Sequence, residues 1–331
     1  MKKINLVTGA SGHLGFTIVK TLKENNEFVR VLLRSDAALE YLERYVDEVF
    51  YGDVTNADDV LKACDNVSIV YHSAALITLG REMKVEVHKI NVEGTKNIID
   101  ACLKNNVKRL VYVSSAHAID FKNKKEIIRE KQYLEAKKVK GNYAKSKAEA
   151  SNMVIDANSK ELETICIMPT AIIGPNAFKD SPFNGFLSMH KRKKMKVYLK
   201  GCYNFIDVRD TAEVIYSAST VGNPGNSYII SGTVMTVKEI LDFLETKTDI
   251  KSPKIKIPLP ILRIAAPVIE MGANLMKKRA LFNSHTVYTL NSNPNFDNSK
   301  AINELGLNVR DVRDSLYEQY IFLNEINKKT E

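Results

Sequence analysis

Short aliphatic and β-branched runs recur through the first two-thirds of the chain: Ile4–Val7, Phe28–Leu33, Glu48–Tyr51, Ser68–Tyr71, Arg109–Val113 and Thr164–Met168. Most are apolar without polar alternation, the pattern of strands covered on both faces. Stretches of helical period lie between them, at 13–25, 36–45, 57–64, 84–104 and 144–160. This repeated strand–helix order predicts an α/β fold built on a doubly wound parallel sheet. After Pro169 the regularity weakens. Turn signals stand at Gly174-Pro175-Asn176, Asn223-Pro224-Gly225 and Pro258 with Pro260, among short strands near 228–230 and 254–257 and helices at 209–221, 236–246 and 311–326. The pattern therefore predicts a body over 1–174, to which 206–224 returns, and a smaller C-terminal α/β lobe made mainly of 175–205 and 225–331.

Composition narrows this picture only slightly. The 331 residues carry a net charge of +9. A lysine-rich surface that keeps the protein soluble accounts for that charge, and an anionic partner is the alternative. The densest basic run, Lys191-Arg192-Lys193-Lys194, reads as a solvated loop or helix face. Cys64, Cys102, Cys166 and Cys202 show neither C-x-x-C nor metal-ligand spacing, so reduced thiols, a cytoplasmic setting and no metal are expected. The N-terminus reads as a first strand and not a leader. Pro258–Met276 is rich in Ile, Leu, Ala and Val but contains Pro260, Arg263, Pro267, Glu270 and Asn274, which argue against a spanning helix. A helix over a cleft is the first reading of 258–280, and peripheral membrane contact the lesser one.

The strongest local feature is Thr8-Gly9-Ala10-Ser11-Gly12-His13-Leu14-Gly15, directly after the first strand. A glycine-rich turn entering a helix lets the backbone approach a pyrophosphate, and the helix N-terminus offers free N–H donors. The spacing is G-x-x-G-x-x-G, not G-x-G-x-x-G. At the end of the second strand, Val31-Leu32-Leu33-Arg34-Ser35-Asp36 has no acid to bind a ribose 2′-hydroxyl, and Arg34 follows at once. That favours NADP(H), with NAD(H) as the alternative. On the contrary reading, Arg34 is a surface cation and Asp36 caps the next helix. Asp53, after the third strand, is placed to accept from an adenine amino group, though a bare Asp in a turn is more often structural. His72-Ser73-Ala74-Ala75 follows the fourth strand; its small residues leave room for a cofactor, and His72 reads as a packed core histidine.

Tyr143 and Lys147 stand at i and i+4, on one face of a helix. A free phenol titrates near about 10, and a nearby ammonium lowers that value, so the pair suits proton exchange with a substrate oxygen during hydride transfer. Ser114 and Ser115 end the fifth strand at the same sheet edge as the glycine turn, where a hydroxyl orients a carbonyl.

TGASGHLG, GDVTN, HSAA, INVEGTKNIIDAC, VYVSSA, YAKSK and MPTAIIGP occur in that order, and NFIDVRDTAEVI and FDNSKAINELGL extend the series. Together they resemble the extended short-chain dehydrogenase/reductase superfamily, of NAD(P)-dependent epimerase/dehydratase type, in its dihydroflavonol-reductase-like branch. The resemblance implies a Rossmann-type fold and a catalytic triad of Ser115, Tyr143 and Lys147, with Ser114 structural. It also implies cofactor contacts at Gly9, Ser11, Gly12, His13, Leu14 and Gly15, at Arg34, Asp53 and Val54, at Ala74 and Ala75, at Tyr143 and Lys147, and at Pro169 and Ile172. Asn91 matches an N-V-x-G-T stretch that fixes backbone near the site. His117 departs from the Gly or Thr common in relatives and reads as a surface histidine. The expected activity is reduction of a ketone or aldehyde, or oxidation of the alcohol, on a small-molecule substrate. A nucleotide-sugar epimerase or dehydratase holding NAD, a hydroxysteroid-type dehydrogenase/isomerase and a non-catalytic cofactor sensor are the alternatives. By analogy, a homodimer forms through helices 84–104 and 144–160, and no nucleic-acid partner is expected.

Overall fold

The structure is a computed structural model that describes residues 3–77, 83–120, 125–178, 181–258, 261 and 284–330, with 284–285 and 324–330 described by backbone only. Its centre is a seven-stranded sheet. In chain order the strands are β1 (Ile4–Thr8), β2 (Phe28–Leu33), β3 (Glu48–Tyr51), β4 (Val67–His72), β5 (Arg109–Val113) and β6 (Glu163–Pro169), with β10 (Asn226–Ile230) at the edge beside β6. All pairings are parallel, and the spatial order is β10-β6-β5-β4-β1-β2-β3.

The unbroken apolar runs are explained by two cores, one on each face of the sheet. Along β5, Leu110 and Tyr112 join one core, while Val111 and Val113 join the other. Helices Ala57–Ala63, Gly94–Lys104 and Asn142–Asp156 cover the first face through Val60, Ile98, Cys102, Ala148 and Val154. Helices His13–Glu24 and Val208–Thr220 cover the second through Phe16, Ile18, Leu22, Val214 and Ile215. The strand order reverses between β1 and β4, so the loops after these two strands part there and leave a crevice at the carboxyl edge, where ligands gather in such sheets.

The expected helix at 84–104 is continuous in the chain but not in type. Lys84–His88 and Gly94–Lys104 are α-helical, and a π-helical turn, Lys89–Glu93, joins them. The stretch 36–45 forms only short turns, Asp36–Ala38, Leu39–Leu42 and Glu43–Tyr45.

The second lobe holds β7 (Ala171–Ile173), β9 (Cys202–Asp207) and β11 (Thr233–Thr236) in a mixed sheet, and β8 (Val197–Leu199) paired with β12 (Ile255–Ile257). Helices Pro182–Lys191, Val237–Lys247 and Val312–Thr330 pack around them. Two segments expected in this lobe belong to the main sheet instead. Strand Asn226–Ile230 pairs with β6, and helix Ser299–Leu305 covers that end of the sheet through Ala301 and Leu305. Tyr228 and Ile230 are fully buried there, and the Tyr228 hydroxyl donates to Glu304 at 2.7 Å. Apart from Pro258 and Ile261, the apolar segment 258–276 lies outside the described residues. Among those described, no helix is long and apolar enough to cross a membrane.

Candidate active site

The glycine turn is shaped by steric exclusion. Gly9 has φ +74°, and a Cβ there would come within 2.6 Å of the Ala74 backbone nitrogen. A Cβ on Gly15 would lie 2.1 Å from the Gly9 carbonyl oxygen. The turn after β1 thus presses directly on the loop after β4, and Ser73 fixes that loop by donating to the Thr8 carbonyl at 2.7 Å. Gly12 caps helix His13–Glu24 with extended backbone and no side-chain cap bond, so the first N–H groups of the helix face the crevice. This cradle fits a dinucleotide pyrophosphate.

The His13 ring does not point into the cradle. Its Nε2 lies 2.7 Å from the Pro175 carbonyl oxygen, and burial pushes its pKa down to about 4. The neutral ring therefore donates to Pro175 and ties the cofactor turn to the loop entering the second lobe. Any cofactor contact by His13 runs through its main chain.

Arg34 is exposed at the end of β2 and makes no ion pair or hydrogen bond among the described residues. Asp36 does not cap the next helix, whose N-cap Ser35 accepts no bond. Its carboxylate instead accepts from the Tyr51 hydroxyl on β3, which leaves the guanidinium uncompensated. Asp53 uses one carboxylate oxygen to accept from Thr55, at 2.8 Å from the backbone nitrogen and 2.9 Å from the hydroxyl, so it builds its turn as well as facing the cleft.

Gly141, at φ +100°, starts the helix Asn142–Asp156 and sets Tyr143 in its first turn. Tyr143 is buried, 8% exposed, and its hydroxyl hydrogen-bonds the Ser115 side chain. Burial raises the phenol to about 12, against the lowering expected from a neighbouring ammonium. The reason is that Lys147 faces the sheet: Nζ donates to the Val113 carbonyl at 2.7 Å and the Tyr112 hydroxyl at 3.2 Å. Lys147 is 2% exposed, and burial lowers it to about 7. Ser114 bonds Ser151 at 2.6 Å, deep in the body. Both serines border the cleft, but Ser114 is committed to Ser151 whereas Ser115, half-buried, bonds Tyr143.

Supporting residues surround this group. His72 bridges Thr8 at 2.7 Å and Thr95 at 3.1 Å, fully buried, and burial lowers it to about 3; it is a core histidine. Asn91 accepts from the Leu76 N–H at 2.7 Å, and its amide donates to the Leu76 carbonyl at 3.1 Å and to Ser146 at 3.0 Å. It thereby ties the loop after β4 to the helix that carries Tyr143. His117 stands in the cleft wall, half-buried, and not on the outer surface, because its backbone N–H donates to Ser115 at 3.2 Å and bends the chain inward.

One cleft of about 700 Å³ contains every residue singled out in the sequence as catalytic or cofactor-binding, from Gly9 to Ile172. It continues into a chamber walled by Phe183, Phe186, Met189, Tyr198, Tyr203 and Phe205, all within 175–205, a segment expected from the sequence to bound the substrate. From Ser181 to Gln319, none of the described lining residues is charged. Among the described lining residues the acid and cations are Asp53, Arg34 and Lys147, all at the cofactor end. Among the described residues no cluster of side chains fit to hold a metal ion occurs.

Comparison with known proteins identifies the family. The profile of the 3-beta hydroxysteroid dehydrogenase/isomerase family matches residues 6–231. The chain belongs to that family. It is an enzyme of the extended short-chain dehydrogenase/reductase type, and the family is NAD(P)-dependent. Over its length the chain is similar to the sterol demethylase protein B of Methylococcus capsulatus, 28% identical over 91% of this chain and 92% of that one. It is also similar to a putative dihydroflavonol 4-reductase of Synechocystis, 28% identical over 94% and 91% of the two chains. Among solved structures, gox2253 superposes with a TM-score of 0.85 at 26% identity, covering 98% of each chain. The UDP-glucose 4-epimerase of Thermotoga maritima shares the fold, with a TM-score of 0.77 at 16% identity over 99% and 100% of the two chains.

Proposed function

We propose that this family member is an NADP(H)-dependent oxidoreductase that interconverts a ketone and a secondary alcohol carried on a bulky, uncharged, apolar body. The observation that carries the reading is the division of the cleft. Among the described residues charge is confined to the dinucleotide end, and the far end is mainly aromatic and aliphatic. A nucleotide sugar would bring a diphosphate to a chamber whose described walls offer no cation, which weighs against the epimerase alternative. The names of the sterol demethylase and of the mouse 3 beta-hydroxysteroid dehydrogenase type 7, 34% identical over 52% of this chain, point to substrates of this apolar class. The uncompensated Arg34 supports NADP(H) over NAD(H).

A bound nicotinamide supplies or accepts the hydride. In the reducing direction Tyr143 gives its hydroxyl proton to the carbonyl oxygen. A phenol near 12 stays protonated throughout the neutral range and suits a proton donor. Ser115, hydrogen-bonded to the same phenol, orients the carbonyl. Lys147, beneath the tyrosine, offers its ammonium to the nicotinamide ribose.

The division of labour along the chain goes with this reading. Residues 1–174 and 206–230 hold the cofactor, and 175–205 with 233–257 hold the substrate. Pairing of helices 84–104 and 142–156 across a two-fold axis makes the homodimer.

The test is a panel of apolar ketones read by NADPH absorbance, with wild type and Tyr143→Phe. Wild type should turn over at least one bulky ketone. The variant should lose turnover by roughly a thousandfold or more while still binding NADPH. Wild-type rates in Tyr143→Phe would refute the assignment.

A further inference from the structure

The basic run read from sequence as a solvated face takes on a different character once β8 and β12 are paired. Residues 191–200 contain six cations and no acid, and residues 251–258 contain three and no acid. The pairing, with Ile255 opposite Val197 and Lys256 opposite Tyr198, joins these two segments into one surface. Side chains alternate along a strand. Lys196 and Lys200 therefore share the ribbon side of Tyr198, and Lys254 and Lys256 share it too.

Of the nine cations, Lys191 donates to the Tyr320 carbonyl and Lys251 pairs with Glu245. The remaining seven, Arg192, Lys193, Lys194, Lys196, Lys200, Lys254 and Lys256, are exposed and have no ion pair among the described residues. A purely solvating surface intersperses both signs of charge, and these two segments carry only one sign. Ile255, between Lys254 and Lys256 in the chain, lies with Val197 on the other side of the ribbon and is 66% exposed.

We infer that this face of the second lobe docks on an anionic lipid surface. The seven free cations match a plane of negative headgroups. A nucleic acid would also satisfy the cations, but the patch presents no exposed aromatic ring on which a base could stack. The site also has a functional placement, which rests on the apolar-substrate reading: Met195, Val197, Tyr198 and Leu199, from the same segment, wall the substrate end of the cleft. Docking here sets the chamber next to the phase in which an apolar substrate dissolves.

The experiment is co-flotation of the full chain with vesicles of phosphatidylcholine alone and of phosphatidylcholine with phosphatidylglycerol, at low and high salt. No turnover is needed, so the docking result stands apart from the substrate assignment. Wild type should float with the anionic vesicles at low salt, fail to float with neutral ones, and be released by high salt. Combining Lys194→Glu, Lys196→Glu, Lys254→Glu and Lys256→Glu should lower partitioning by about a hundredfold or more. NADPH binding should be unchanged, since none of the four touches the cofactor end. The matching set of Lys→Gln changes should give a smaller loss in the same direction, and it serves if the glutamate set misfolds. Equal binding to neutral vesicles, no binding to either, or salt-dependent binding to a single-stranded polynucleotide with none to vesicles would each overturn the inference.

Discussion

Lys147 is the place where the candidate site costs the fold most, and the cost has a pH signature. Its ammonium is 2% exposed and its pKa falls from 10.5 to about 7 through burial. In the unfolded chain the lysine keeps its proton up to the ordinary value. Between those two values the unfolded state holds more protons, so raising the pH favours the folded state. The penalty is fully present below about 7 and is relieved as the pH climbs toward 10.5. At roughly 1.4 kcal/mol per pH unit, the whole span amounts to about 5 kcal/mol. Lys147→Met keeps the volume and removes the titration. It also removes the bonds to Val113 and Tyr112 and the contact with the Tyr112 ring at 4.7 Å. Those interactions are worth about 1–3 kcal/mol apiece, so the net change at neutral pH is small and the slope decides. Urea unfolding of both proteins between pH 7 and 10 should show wild type gaining on the variant by about 1.4 kcal/mol per pH unit. Parallel stability curves would mean that the lysine is not buried as an ammonium in the fold, and the argument would fail. The variant should also lose turnover, the usual conflict between a strained site and stability.

Three further outcomes follow from the geometry. Arg34→Ala should weaken NADPH binding by about ten- to a hundredfold, the worth of one charge-assisted contact, and leave NADH nearly unchanged; equal effects on both cofactors in a fluorescence titration would remove the NADP(H) assignment. Gly15→Ala places a Cβ 2.1 Å from the Gly9 oxygen, backbone that cannot swing away, so it should abolish dinucleotide binding and lower the melting temperature; a variant that binds normally would contradict the cradle. Light scattering should give twice the chain mass, and a dimer that dissociates on Val85→Glu, a side chain 76% exposed on Lys84–His88, would place the interface on the expected helices; a monomer would reject it.

The sequence disclosed the main sheet because each strand there has one task. Val111 and Leu110 serve opposite cores with the same chemistry, so an unbroken apolar run is the expected signature. The lobe was harder to read for a physical reason. Its strands Ala171–Ile173, Val197–Leu199 and Ile255–Ile257 are three residues each and draw their partners from distant segments. No local period forms over such lengths. Strand Asn226–Ile230 was located but assigned to the wrong body, since nothing within five residues says which sheet edge they will join.

The same distinction between local and assembled signals runs through the site. A glycine turn, a Tyr–Lys pair at helical spacing and a serine after a strand are each local, and the fold brings all of them into one cleft. The direction of the Tyr143 shift was not local. Whether a lysine one turn away lowers a phenol depends on where its ammonium points, and here the Val113 carbonyl claims it. The π-turn at Lys89–Glu93 is a second case: a helical pattern carries no mark of one wider turn, yet that turn carries Asn91, whose amide reaches both Leu76 and Ser146. Asn91 and His13 act alike in this respect. Neither ring nor amide is placed to react, and each spans two segments that the reaction needs held together: cofactor loop to tyrosine helix in one case, cofactor turn to second lobe in the other. Residues of that kind are invisible to motif spacing, because their chemistry is ordinary and only their reach is specific.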